Sequence, residues 1–195
     1  LCKMPQALNY ANSYYHLKVA DPEINEMKNF INQIPEESYR HNQLSYEDNN
    51  RDIYVEKYRS CEIYAPPEDT VFFRVGIKVF HYINSKHFEY DLSDKFEFQI
   101  LKYKPGGHYE WHIDYGSCYF YGLDRKLSMS IQLSDENEYD GGELEIKGSG
   151  DATTTAGKPL GSVIVFDSKV THRALPVTKG ERIVMVGWAA GPKLR

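Results

Sequence analysis

The sequence is short of three things, and each shortage narrows what the chain can be. Cysteine is the first, with three in 195 residues: Cys2, Cys61 and Cys118. An odd, widely spaced set with no CxxC pair gives no disulfide framework. It points to a reducing compartment, which we read as the cytoplasm. Long apolar runs are the second. No stretch approaches the ~20 residues a membrane-spanning helix needs. The opening LCKMPQALNY has no apolar centre of a secretory signal either. Excess positive charge is the third. Lys and Arg total 23 against 28 Asp and Glu, a formal net charge of −5. That argues against general nucleic-acid binding, which usually needs a basic stripe, though a local basic groove stays open. Internal repeats and low-complexity segments are also missing.

What is present suits an ordinary globular domain over residues 1–195, with 41% hydrophobic and 26% charged residues. Sixteen tyrosines are many for this length. Most are expected at the core edge, and a few along a cleft. The two halves differ. Residues 1–95 read as mostly helical support. Asp21-Pro22 is a helix start, with Asp21 as N-cap, and Ile24, Met27, Ile31 and Ile34 follow at helical spacing until Pro35. A second helix is expected after Pro66-Pro67, with Val71, Phe72, Val75, Val79 and Tyr82 on one face. Gly76 weakens that reading, because glycine is a poor helix former. Residues 36–59 read as irregular.

Residues 96–192 read as strands. FEFQILKY (96–103), LSMSIQLS (127–134), ELEIK (143–147), SVIVFD (162–167) and RIVMVGW (182–188) are separated by breakers such as Pro105-Gly106-Gly107 and Asp140-Gly141-Gly142. Many short strands with such turns suggest a sandwich or double-sheet roll. The fold class is therefore mainly β with flanking helices. Leu127, Met129, Ile131 and Leu133 alternate with Ser128, Ser130 and Gln132. The polar set faces either a polar pocket inside the roll or solvent.

The chemistry lies in YEWHIDYG and, much later, THRALPVTKGER. His112 and Asp114 are two residues apart, so in an extended segment both side chains point to one face. His172 follows the SVIVFD segment and must arrive from a neighbouring strand. Two imidazoles and a carboxylate on one side of a metal leave the other positions open. This is the facial arrangement of non-haem iron(II) oxygenases. A lone histidine–aspartate pair is common, and zinc also accepts these ligands. His16, His41, His81, His87 and His108 are expected at the surface or in packing.

The order of the surrounding motifs carries more weight. From Gln99 to about Pro192 come Y-x-P-G-G-x-Y-x-x-H-x-D, R-x-L-S-x-S-I-x-L-S, Y-D-G-G-E-L, G-S-V-I-V-F-D, H-x-x-x-P-V-x-x-G-x-R and G-W. This series resembles the prolyl 4-hydroxylase-like group of 2-oxoglutarate/Fe(II) dioxygenases. INSKHFEYDLSD (83–94) looks like that family's lead-in to the first core strand. The resemblance implies a double-stranded β-helix, or jelly roll. It implies Fe(II) held by His112, Asp114 and His172, with 2-oxoglutarate and O2 as co-substrates and ascorbate as a possible reductant. Arg182 falls where the family places a basic residue for the distal carboxylate of 2-oxoglutarate. Many prolyl hydroxylases have Lys there; Arg grips a carboxylate bidentately. By position, Tyr103 and Ser128 would assist it. Trp188 shares a strand face with Arg182, Val184 and Val186, so it would wall the pocket near the metal and touch substrate.

Substrate is less legible. Tyr109 matches a position that contacts peptide in prolyl 4-hydroxylases. Tyr115 opens YGSCYFYGLDR (115–125), which suits a loop over the entrance. Tyrosine-lined grooves suit polyproline segments, because an extended chain pays little ordering entropy. The expectation is hydroxylation of a peptidyl proline with release of succinate and CO2. A free amino acid or other small molecule is the alternative. A non-catalytic jelly-roll module that binds metal or peptide is the reading from another class.

Overall fold

The computed structural model describes residues 14–41, 57–116, 122–148 and 152–193. The first half supplies β1 (Tyr14–Lys18), α1 (Asp21–Ile31), β2 (Arg40–His41), β3 (Arg59–Ser60), β4 (Glu62–Tyr64) and α2 (Val71–Ile83). The second half supplies β5 (Phe96–Tyr103), β6 (His108–His112), β7 (Leu123–Gln132), β8 (Tyr139–Gly141), β9 (Leu144–Lys147) and β10 (Thr153–Thr155). It ends with β11 (Ser162–Asp167), β12 (His172–Ala174), β13 (Val177–Gly180) and β14 (Arg182–Pro192).

The strands form a seven-stranded sheet in the order β1-β11-β7-β14-β5-β4-β2 and a five-stranded sheet in the order β10-β9-β12-β6-β3. β13 and β8 form a separate two-stranded sheet. The central neighbours pair antiparallel. The two sheets enclose a shared interior, giving the jelly roll expected above.

Alternation in β7 explains which face goes where. Leu127, Met129 and Ile131 leave the outer face of the large sheet and meet Ile24, Met27 and Ile31 of α1 and Phe72, Val75, Val79 and Phe80 of α2. Each fully buried side chain of this kind contributes roughly 2 kcal/mol. Ser128, Ser130 and Gln132 point the other way and are also buried. The polar stripe therefore belongs to the interior of the roll, not to solvent.

Several local expectations change. Asp21 is the first helical residue of α1, and Ala20 occupies the N-cap with extended geometry. Ala20 has no side-chain oxygen to cap with, so Asp21 and Glu23 act instead as first-turn charges on the helix dipole. Gly76 is not a weakness in α2. A Cβ at that position would collide with the ring of Phe98, so glycine is what lets the helix lie against β5. Residues 1–95 also do more than supply helices. β1 pairs with β11, β4 pairs with β5, and β3 pairs with β6. Their sequences are short and lack alternation, which hid them. Residues 42–56 of the segment read as irregular lie outside the described residues.

Candidate active site

His112 ends β6 and His172 begins β12, and the two are register partners across the small sheet. Asp114 lies just past the strand, where its backbone N–H donates to the Ser168 carbonyl at 2.9 Å. Among the described residues these three form the one cluster of such side chains whose ligand atoms all lie within 4.8 Å of one another. His112 Nε2 stands 3.6 Å from Asp114 Oδ1, and His172 Nε2 stands 3.5 Å from Asp114 Oδ2.

The backbone sets the tautomer of both rings. His112 Nδ1 lies 2.7 Å from the Glu110 carbonyl, and His172 Nδ1 lies 3.0 Å from the Val170 carbonyl. A carbonyl only accepts, so each Nδ1 carries a proton, and Nε2 is the ring nitrogen that faces Asp114. Burial, reinforced by the neighbouring His172, lowers the His112 pKa to about 3. Burial alone would raise the Asp114 carboxyl, but His172 and His112 outweigh it and the net shift is downward. A neutral imidazole at His112 and an ionised Asp114 are protonation states that binding a divalent ion requires.

The large sheet orients the carboxylate. Ser128 Oγ donates to Asp114 Oδ2 at 2.8 Å and lies 2.9 Å from Ser168 Oγ. The indole N–H of Trp188 also donates to Asp114. Ser128 and Trp188 are register partners, so one rung of the β7–β14 ladder grips the ligand. The sequence reading assigned both residues to the co-substrate. The structure shows their polar atoms on Asp114. Arg125 covers the outer side of Trp188, 3.9 Å from its ring centre, while paired to Glu97 at 2.6 Å.

Arg182 starts β14 opposite Tyr103 and is 4% exposed. No carboxylate among the described residues pairs with it. Glu143, which senses its charge, is tied to Lys158 at 3.2 Å. A buried cation without a counter-ion costs several kcal/mol, so this pocket is built for an anion. Gly142 makes room: at φ +66°, a Cβ there would stand 3.0 Å from Arg182 Cδ and 2.8 Å from Val177. The cavity at Arg182 is lined by Ser130, Gln132, Tyr139 and Ile164, with His16 and Lys158 at its edge. His16 is exposed at that edge, as expected of a surface histidine.

Tyr103 offers Arg182 its ring, 5.5 Å from the guanidinium carbon, while its hydroxyl bonds to Cys61. Arg59, also buried, donates to the Cys61 sulfur at 3.2 Å and lies over the Tyr109 ring. Tyr109 in turn stacks on His112, with centroids 3.5 Å apart. Tyr115 donates to Asp124 at 3.1 Å. Residues 117–121 of the expected entrance loop, including Cys118, lie outside the described residues. Sequence reasoning missed Ser168, Tyr139 and Arg59. Only Tyr139 carried a signal, its position just before the Asp-Gly-Gly turn.

The jelly roll thus combines a His112–Asp114–His172 cluster with a buried arginine with which no carboxylate among the described residues pairs. Residues 98–190 match the family model described as the 2OG-Fe(II) oxygenase superfamily. That superfamily uses Fe(II), 2-oxoglutarate and dioxygen, and both the ligand set and the buried arginine of this chain fit them. A PKHD-type hydroxylase of Maricaulis maris is 37% identical over 89 residues, covering 46% of this chain and 39% of its own. The chain thus spans about two fifths of the length of that relative. Solved structures reproduce the fold over nearly the whole chain. A prolyl-4-hydroxylase of Pseudomonas putida has a TM-score of 0.71 at 19% identity, covering 93% of this chain and 94% of its own. A Trichoplax adhaerens prolyl hydroxylase, solved with a hypoxia inducible factor peptide fragment, scores 0.72 at 15% identity, covering 91% and 83%.

Proposed function

We propose that this domain is an Fe(II)- and 2-oxoglutarate-dependent dioxygenase that hydroxylates a proline within a peptide. The observation that carries the class is the pairing of a facial ligand set with an unpaired buried arginine in the same interior. Three ligands alone suit zinc equally well; the buried guanidinium adds the demand for a dicarboxylate. When bound, Fe(II) supplies dioxygen activation. The balance is substrate C–H plus O2 plus 2-oxoglutarate giving substrate C–OH, succinate and CO2.

The chain's own residues do the positioning. His112 and His172 present their Nε2 atoms, and Asp114 presents a carboxylate fixed by Ser128 and Trp188. Arg182 takes the distal carboxylate, which sets the 2-oxo end toward the ligands. The walls, from Ile164 and Phe166 to Val184, exclude water and strengthen each charge interaction. No side chain needs to act as a general base. Peptide as substrate is supported by the prolyl hydroxylases among the fold's neighbours, one of them solved with a peptide.

The test is succinate release with Fe(II), 2-oxoglutarate and ascorbate, screened over proline-rich peptides, free amino acids and nucleobases. Release triggered by a proline peptide supports the reading. Release only with an amino acid overturns the peptide assignment, and no release with any of them overturns catalysis. Asp114→Ala is expected to reduce release to background while the circular dichroism spectrum stays that of the parent.

A further inference from the structure

A second cavity, of about 240 Å³, opens beside the metal ligands and shares no lining residue with the cavity at Arg182. It includes Tyr115, the residue after Asp114, and Arg125, which lies against Trp188. Lys126 also lines it and is 8% exposed. The β7–β14 register shifts at this point: Arg125 pairs with Ala190 and Leu127 with Ala189, so Lys126 between them faces no residue of β14. An extra residue of this kind re-aims its side chain. The backbone there is held, because the Lys126 carbonyl accepts the Ser168 N–H at 3.0 Å. The ammonium is not. Among the described residues, nothing accepts a hydrogen bond from the buried Lys126 Nζ. The charges around it do not compensate. Asp167 accepts from the Tyr90 hydroxyl and from the Lys169 N–H, and Arg125 is answered by Glu97. Lys169 lies over the Tyr115 ring at 4.8 Å, and Lys193 stands exposed at the rim. Asp91 is then left to face three lysines. This is a local excess of positive charge on a chain whose net charge is −5. A buried cation without a counter-ion costs several kcal/mol, so the cavity suits an anion brought by a partner.

Location selects the partner. The cavity and the metal ligands meet at one turn, where the Ser168 carbonyl accepts the N–H groups of both Asp114 and Tyr115 at 2.9 Å. An extended chain advances ~3.3 Å per residue, so a peptide with one residue at the metal passes this mouth within a few residues. We propose that the cavity takes an acidic side chain, Asp or Glu, of the peptide substrate, with Lys126 as its buried anchor and Lys169 as a second cation. The proposal rests on the peptide reading above and adds a sequence rule to it: a carboxylate stands within a few residues of the hydroxylated proline. Lys126 is then a specificity-determining residue that touches neither the metal nor 2-oxoglutarate.

The experiment uses fluorescein-labelled proline–alanine peptides with one Glu placed at successive positions on either side of a central proline, each paired with its Gln counterpart. Binding to the parent, Lys126→Met and Lys169→Ala is read by anisotropy, and turnover by succinate release with Fe(II) and 2-oxoglutarate. In the parent, one Glu position is expected to bind about tenfold more tightly than its Gln counterpart, the factor equivalent to ~1.4 kcal/mol. Lys126→Met is expected to erase that ratio and Lys169→Ala to reduce it. In turnover the ratio is expected in KM and not in kcat. The melting temperature of Lys126→Met is expected to hold or rise, because an unpaired buried charge is removed. A parent with no Glu preference at any position overturns the proposal, as does a preference that survives in both variants. Inorganic phosphate and a single-stranded oligonucleotide serve as competitors. If either binds more tightly than the Glu peptide, and through Lys126, the cavity is not a peptide subsite. Succinate release with proline peptides whatever their charge removes this inference alone. If no proline peptide triggers release, the peptide reading fails and this inference with it.

Discussion

At the scale of single residues, the metal site depends on groups that never touch the metal. Asp114 is held by one hydroxyl and one indole N–H, and its two neighbours are held by backbone carbonyls. Partners of this kind typically carry a factor of 10–100 in metal affinity. Ser128→Ala and Trp188→Phe are each expected to weaken Co(II) binding by roughly tenfold or more, measured by competition with a chelator, while 2-oxoglutarate contacts stay intact. Were these residues co-substrate ligands, the KM for 2-oxoglutarate would move and Co(II) affinity would not. The same cluster sets a pH dependence. In the folded, metal-free protein His112 stays neutral down to about pH 3, whereas in the unfolded chain it takes a proton near pH 6.5. The unfolded state therefore binds more protons between those values, and stability falls as pH drops through that window. Melting curves in chelator from pH 7.5 to 4 should show this fall, and His112→Phe should flatten it. How far these residues were legible follows from their chemistry. The ligands and Arg182 stood out because their types and spacing are restrictive. Ser128 and Trp188 were found, but their contact with Asp114 was not, because position along a strand tells the face and not the partner. Ser168 and Arg59 gave no signal, since each acts through a contact distant in sequence.

At the scale of elements, β7 and β14 decide most of the site. One face of each packs on the helices and the other lines the interior; a two-residue period marked β7, and a run of β-branched and apolar residues marked β14. The long strands were legible for that reason, and SVIVFD matches β11 residue for residue. The two- and three-residue strands β2, β3, β4 and β10 were not, because so short a segment carries no period. Gly76 shows a different limit. Propensity marks it as unfavourable, and only the neighbouring β5 explains it. Gly76→Ala is expected to destabilise the protein by about 2 kcal/mol through overpacking on Phe98. Phe98→Leu should recover part of that loss in the double variant. Chemical denaturation of the four proteins checks this as a cycle, and strict additivity of the two changes would rule out the contact.

At the scale of the whole molecule, the labour is divided between the sheets. The small sheet and the turn after it present His112, Asp114 and His172, while the large sheet presents Arg182. A molecule that chelates at one end and is clasped at the other ties the two layers together like a rivet. Metal alone adds no such tie, and neither does a 2-oxo acid too short to reach Arg182. Amide exchange in β5, β12 and β14 should therefore slow when Fe(II) and 2-oxoglutarate are present together. Fe(II) with pyruvate should slow it far less. Equal protection by both acids would mean that the layers are already locked. If the rivet holds, the reaction undoes it: 2-oxoglutarate leaves as succinate, one carbon shorter and without its chelating end. Each turnover would then release the two layers from one another, and product departure and loosening of the roll would be one event.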